Sequence, residues 1–236
     1  MNKIIIGVSG KKQSGKDTTC ELLKGFFSSQ SSKPYMAKIY SFADVLKQKI
    51  CIDVMGLTKE QCYGTDEQKN SLTMYKWENM PDSIRNKNSI ETEEVPFHHD
   101  GTIENIDVPV NRSGFMTARE ILQIVGTDIF REYFDDSIWV NATLKAIKND
   151  RADVALISDV RFPSEIKSLI DNNGIIIRLL RNIKNEDTHE SETALDNYDW
   201  NLLGNSVYII DNRKMSIKEQ NEEVIKIVIE LIGSST

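Results

Sequence analysis

The sequence predicts an α/β protein of three layers, with a parallel sheet of about five strands and helices on both faces. Three observations carry that expectation. Short β-branched apolar runs recur along the chain, stretches with apolar residues at helical spacing alternate with them, and the first run ends in a glycine loop that opens a helix. At 236 residues the chain has room for one such domain with an insertion. Hydrophobic residues at 39% and charged residues at 28% are the proportions of a globular protein. The 29 Lys and Arg against 36 Asp and Glu leave a net charge of −7, which argues against a broad nucleic-acid-binding face. An anion site built from a few converging basic residues stays open.

Residues 3–9 read as the first strand, because Ile4-Ile5-Ile6-Gly7-Val8 is apolar on both faces, as a covered parallel strand must be. The run is too short for a signal peptide, and no window approaches the length of a membrane span. A cytoplasmic protein is expected, in the host cytoplasm for a viral source. Residues 10–15 form a polar loop, and 17–29 a helix with Leu22, Leu23, Phe26 and Phe27 on one face. Residues 36–40 read as a second strand. Ser41 reads as the cap of a helix to Ile52, with Phe42, Val45, Leu46 and Ile50 at helical spacing.

From 58 to 112 the pattern weakens. Gly64, Pro81, Pro96, Pro109 and a His98-His99-Asp100-Gly101 turn mark an insertion of hairpins and loops within a single domain over 1–236. Thr117 with Glu120 three residues on has capping-box spacing, and Ile121, Leu122, Ile124, Val125 and Ile129 continue the helix it starts. A further helix covers 137–148, a buried-type strand 154–159, a helix 163–172 and a strand 175–180. A last strand over 206–210 leads to an amphipathic helix over 216–232. Cys20, Cys51 and Cys62 lack CxxC spacing and read as free thiols.

Gly10-Lys11-Lys12-Gln13-Ser14-Gly15-Lys16 matches the first seven positions of the phosphate-loop pattern GxxxxGK[ST]. The residue types follow from the task. Backbone N–H groups must curl around phosphates, which needs glycines; the next helix offers its positive N-terminus; a lysine reaches the outer phosphates. The pattern alone is common, and its place between an apolar strand and a helix is what gives it weight. Asp17 stands where many such proteins have a magnesium-binding hydroxyl, and Thr18 follows.

Asp159 ends the strand 154–158, where open α/β sheets bind ligands. It can order magnesium through water, accept a hydrogen bond from an acceptor, or cap the helix at Pro163. Arg161 offers a planar fork suited to phosphate oxygens. Arg178 reads as a surface salt-bridge residue, while Arg181 leaves the sheet and enters a lid over 181–200. Arg119 and Arg131 lie twelve positions apart, near one helical stripe. His98, His99 and His189 form no convincing metal or nucleophile set. Phosphoryl transfer does not need one, since positioning and charge neutralisation suffice.

Six phrases stand in a fixed order: residues 10–18 (GKKQSGKDT), 41–47 (SFADVLK), 118–131 (AREILQIVGTDIFR), 136–141 (DDSIWVN), 158–165 (SDVRFPSE) and 188–192 (THESE). Together they resemble the deoxynucleoside monophosphate kinases typical of bacteriophages, a branch of the P-loop kinases, whose loop also carries Gly-Lys-Asp-Thr. The resemblance implies a P-loop NTPase/kinase fold and transfer of the γ-phosphoryl group of ATP, with Mg2+, to a dNMP. Gly10, Lys12, Ser14, Gly15, Lys16, Asp17 and Thr18 would hold the ATP phosphates. Lys16, Asp159, Arg161 and Arg181 would face the reacting groups. Phe42, Lys47, Arg119, Gln123, Asp128 and Arg131 would form the acceptor pocket, and residues 181–192 would close over ATP. The partner would be a small molecule, with no nucleic-acid polymer and no membrane.

Two other readings stand beside this one: a kinase of the same fold for phosphomevalonate or dephospho-coenzyme A, and a nucleotide-dependent regulatory protein with little turnover. Base preference, deoxyribose selectivity and oligomeric state, a homodimer included, are not written in the sequence.

Overall fold

The computed structural model describes residues 3–30, 34–86, 90–97, 102–109, 112–181 and 193–233, with 90–97 and 102–109 described by their backbone. The strands in chain order are β1 (Ile4–Ser9), β2 (Ala37–Tyr40), β3 (Leu72–Lys76), β4 (Ile90–Phe97), β5 (Thr102–Pro109), β6 (Phe115–Thr117), β7 (Val154–Val160), β8 (Ile175–Leu179) and β9 (Val207–Ile210). The chain divides into two compact units, Met1–Leu46 with Ile129–Thr236, and Lys47–Asp128.

The first unit holds the predicted five-stranded parallel sheet, ordered β2-β7-β1-β8-β9. Side chains alternate across β1. Ile6 and Val8 join Leu23 and Phe27 of the Lys16–Ser28 helix and Val224 and Val228 of the Ile217–Gly233 helix in one fully buried cluster. Burying each large side chain contributes about 1.5–3 kcal/mol. On the opposite face Gly7 lies under Leu169 of the Pro163–Asp171 helix, which completes the third layer.

That contact is tight enough to test. A Cβ on Gly7 would stand 2.7 Å from Leu169 Cδ1 and 2.9 Å from Val160 Cγ2, closer than carbon atoms can approach. Gly7→Ala should therefore lower the free energy of unfolding by about 1–3 kcal/mol through overpacking. Urea titration would read this, and an unchanged midpoint would mean that the covering helix can retreat at no cost.

Two details depart from the sequence expectation. Residues 41–43 turn instead of opening a helix. The helical segment begins after them and over Leu46–Ile52 is wound as a wider π-helix, as is Ile124–Arg131. Arg178 is not on the surface: it is 9% exposed, donates to Ser9 Oγ at 2.9 Å and lies 4.9 Å from the Trp200 ring centre. In a strand covered on both faces, alternation chooses between two buried sides.

The second unit carries short helices (Lys59–Tyr63, Asp66–Lys69, Asp82–Arg85), the β3–β6 pair and the β4–β5 hairpin. The capping box at Thr117 forms as read: Thr117 Oγ1 accepts from Glu120 N–H at 3.2 Å, and Glu120 Oε2 accepts from Thr117 N–H at 2.7 Å. Thr58 with Gln61 and Thr65 with Gln68 repeat the device. Cys51 and Cys62 are buried free thiols here, as is Cys20 in the first unit.

Candidate active site

The phosphate loop joins β1 to the Lys16–Ser28 helix at the carboxyl edge of the sheet. Its backbone needs its glycines. Gly15 has φ 102°, and a Cβ on Gly10 would stand 2.3 Å from Ser14 Oγ. Gln13 takes a left-handed φ of 60° between them. Lys16 is 8% exposed, and its ammonium donates to Gly10 O at 2.9 Å and Lys11 O at 2.7 Å, so the cation sits over the loop's own curve. Ser14 Oγ is wholly buried yet has no hydrogen-bond partner among the described residues. A buried hydroxyl without a partner costs about 1–3 kcal/mol, and a phosphate oxygen at the loop would satisfy it. Lys12 is half-buried, whereas Asp17 and Thr18 are exposed on the first helical turn. Lys11 forms an ion pair with Asp196.

Asp159 lies beside this loop by way of a strand irregularity. The β1–β7 pairing passes from Gly7↔Ile157 to Ser9↔Val160, so β7 carries an extra residue where Asp159 stands. A bulge of this kind re-aims a side chain. The carboxylate accepts from Ser41 Oγ at 2.5 Å, from Phe42 N–H at 2.8 Å and from Ala43 N–H at 3.1 Å. These bonds hold residues 41–43 in the turn that precedes the helical segment. Phe42 itself is buried. The buried Cys20 thiol is pushed well above its ordinary pKa, first by burial and then by the charges of Asp17 and Asp159, while Lys16 pulls it down. Each of these three groups therefore lies within electrostatic reach of Cys20.

Around 158–165 the chain is held by a buried acid. Glu165 accepts from Arg161 N–H at 2.6 Å and Phe162 N–H at 3.0 Å, and receives Arg131 Nη1 at 3.2 Å. Arg131 also donates to Asp136 Oδ1 at 2.5 Å and Ser164 Oγ at 2.9 Å, and its guanidinium stacks 3.6 Å from the Phe162 ring centre. Burial pushes the Glu165 carboxyl up to about 7, against the lowering by Arg131 and the two amides. The half-buried Arg161 is set by this clamp through its own main-chain N–H.

The residues expected at a common site divide between the two units. Lys16, Phe42, Arg131, Asp159, Arg161 and Arg181 belong to the first; Lys47, Arg119, Gln123 and Asp128 belong to the second. In the second unit Arg119 donates to Asn70 Oδ1 at 2.8 Å and Asp66 Oδ1 at 2.7 Å, and Lys47 lies over the Tyr63 ring. Arg181 donates from its guanidinium to the carbonyls of Asn212, at 3.2 and 3.0 Å, and of Met215, at 2.7 Å. Residues 182–192 of the expected lid, with the THESE phrase and His189, and the His98-His99 turn lie outside the described residues. Glu165 was missed as a functional residue, although its place three residues after Phe162, with Pro163 between, is capping spacing.

A family model described as deoxynucleotide monophosphate kinase matches residues 3–214, which takes in the loop, the Asp159 bulge and the Glu165 clamp. The chain belongs to the deoxynucleotide monophosphate kinase family. Two relatives agree with that placement. A protein of Acanthamoeba polyphaga mimivirus provisionally named a deoxynucleotide monophosphate kinase is 30% identical over 86% of this chain and 89% of its own. The deoxynucleoside-5'-monophosphate kinase of Escherichia phage T5 is 27% identical over 73% of this chain and 74% of its own. As a member of the deoxynucleotide monophosphate kinase family, the chain is a phosphotransferase, and its five-stranded parallel sheet with a phosphate loop after β1 is the fold expected of P-loop kinases. No helix among the described residues is long and apolar enough to cross a membrane.

Proposed function

We propose that this family member transfers the γ-phosphoryl group of ATP to a deoxynucleoside monophosphate, releasing ADP and a deoxynucleoside diphosphate. The observation that carries the donor half is the loop itself: a lysine held over curled backbone, with the buried Ser14 hydroxyl, which has no partner among the described residues, inside it. An oxygen of the acceptor's phosphate attacks the γ-phosphorus, and the bond from phosphorus to the bridging oxygen breaks, leaving that oxygen on ADP. Lys16 and the loop amides, with Lys12, hold the donor phosphates and neutralise charge as it moves to the bridge. Arg161, set by Glu165, clamps the acceptor phosphate, and Asp159 fixes residues 41–43 beside it.

Magnesium, when bound, spreads the charge of the outer phosphates. Among the described residues no cluster of three or more His, Cys, Asp or Glu is arranged to hold a metal. The groups offered to it are Asp17 and Thr18 at the helix start and Asp159 through water. Within the first unit acceptor recognition falls to Phe42 and Arg161, with Arg131 acting through the Glu165 clamp; Lys47, Arg119, Gln123 and Asp128 are candidates that the second unit carries by itself. The setting is the cytoplasm, that of the host for a viral source.

The test is ADP release from Mg·ATP across a panel of dNMPs, NMPs, phosphomevalonate and dephospho-coenzyme A. Turnover with one or more dNMPs well above that with the ribose forms is the expected result. Turnover with a non-nucleotide acceptor alone would overturn the substrate assignment. Binding of ATP with no turnover on any acceptor would favour a regulatory protein instead.

A further inference from the structure

A second polar network, separate from the Glu165 clamp, reaches the phosphate loop from the far end of the chain. Asn212 follows β9, and Gln220 lies on the first turns of the Ile217–Gly233 helix. Asn212 is 0% exposed and Gln220 2% exposed. Asn212 Nδ2 donates to the main-chain carbonyl of Ser14 at 2.9 Å and to Gln220 Oε1 at 2.6 Å. Gln220 Nε2 donates in turn to Thr19 Oγ1 at 3.1 Å. On its other side Asn212 Oδ1 accepts from the Arg181 N–H at 2.6 Å, while the Arg181 guanidinium holds the Asn212 carbonyl.

The direction of every bond in this chain is forced. A peptide N–H can only donate and a peptide carbonyl can only accept, so Arg181 N–H and Ser14 C=O together fix which end of the Asn212 amide faces which group. The Asn212 amide group then fixes Gln220 in the same way. Burying four polar groups in this manner is costly unless all are satisfied, and here each of the contacts named above has a partner of the right kind.

The consequence lies in the loop. In a trans peptide the C=O and the following N–H point to opposite sides, and the described chain contains no cis peptide. Holding the Ser14 carbonyl toward Asn212 therefore turns the Gly15 N–H away from it. Gly15, at φ 102°, is the residue at which the loop turns into the helix, and a Cβ there would stand 3.2 Å from Gln220 Nε2. The same network thus sets one peptide plane of the loop and fills the space beside it.

We propose that Asn212 is a positioning residue for the donor site: with Gln220 and Arg181 it locks the Ser14–Gly15 peptide in the orientation that presents its N–H to a nucleotide phosphate. This rests on the donor-site reading of the loop. Asn212 touches no reacting atom in this scheme; it acts through the backbone it holds. Without it the peptide plane is free to rotate, and each binding event must order it again.

Asn212→Ala and Asn212→Asp test this in the full chain. The aspartate keeps the size and the acceptor facing Arg181 but sets an oxygen against the Ser14 carbonyl. The expected result is a KM for ATP raised roughly tenfold or more, the usual reach of one buried hydrogen-bonded position, with the KM for the dNMP within about twofold. A purely structural role would lower melting temperature or the active fraction and leave both KM values unchanged, and that result overturns the proposal. Should the Asn212 variants fail to fold, Gln220→Leu, which removes the brace on Asn212 together with the bond to Thr19, is read by the same comparison. Calorimetric titration with ADP separates this proposal from the function it rests on. If the wild type lacks dNMP kinase turnover, the reaction assignment fails, while weaker ADP binding in the variants still upholds the loop lock and equal binding overturns it.

Discussion

Lys16→Ala should lower kcat for dNMP phosphorylation by roughly 10²–10³-fold, the loss seen when one preorganised charge-stabilising donor is removed. The Lys16 ammonium is held over the loop's curve by Gly10 O and Lys11 O. Charge developing on the bridging oxygen meets it without reorganisation, which is why the loss belongs in kcat and not only in the KM for ATP. The fold should survive, because Lys16 is not a member of the apolar cluster. Circular dichroism and steady-state kinetics on the same preparation would decide it. Full turnover in a folded variant would remove the phosphate loop from the mechanism.

The second large effect is on stability. Arg131 and Glu165 have side chains only 5% and 4% exposed. Deleting one partner of such a pair leaves a buried charge uncompensated, at about 3–5 kcal/mol. Arg131→Ala also removes the stack on Phe162 and the bond to Ser164. Its cost should depend on pH in a defined direction. Burial raises the Glu165 carboxyl from 4.5 to about 7, so the folded chain holds that proton more tightly than the unfolded chain. The resulting stability is present below 4.5 and is lost as pH rises through 7. Without Arg131 the carboxyl is raised further, so the variant's deficit should be small near pH 5 and large near pH 8. Denaturant unfolding at the two pH values measures this, and a deficit independent of pH would show that stacking, and not charge pairing, is what Arg131 supplies.

Strands and the phosphate loop were legible because each is local. Residues 4–8, 154–157 and 175–177 are apolar on both faces, and a covered parallel sheet accommodates that. Thr117 and Glu120 announced a helix start from three positions apart. What stayed hidden depends on pairs far apart in the chain. Asn212 and the Ser14 carbonyl are separated by 198 positions. Asp159 binds the amides of 42 and 43 from more than a hundred positions away, and Ser41, read as a helix cap, begins a turn there. The wider winding of Leu46–Ile52 leaves no mark in apolar spacing over so short a stretch. Arg178 was misplaced for a related reason: an arginine in a strand says which face it takes, but the cover over that face comes from Trp200.

The strand order bears on how the molecule is made. β1 is the middle of the sheet, and its partners are β7, starting at Val154, and β8, starting at Ile175. A chain leaving the ribosome therefore carries its central strand, and the phosphate loop attached to it, without a neighbour until most of the sequence has been synthesised. At about 5–20 residues per second the wait is on the order of 10–30 s. Residues 47–128, contiguous in sequence, need nothing from the later part of the chain to make their own strand pairs. The loop that follows β1 is thus among the last parts to be assembled.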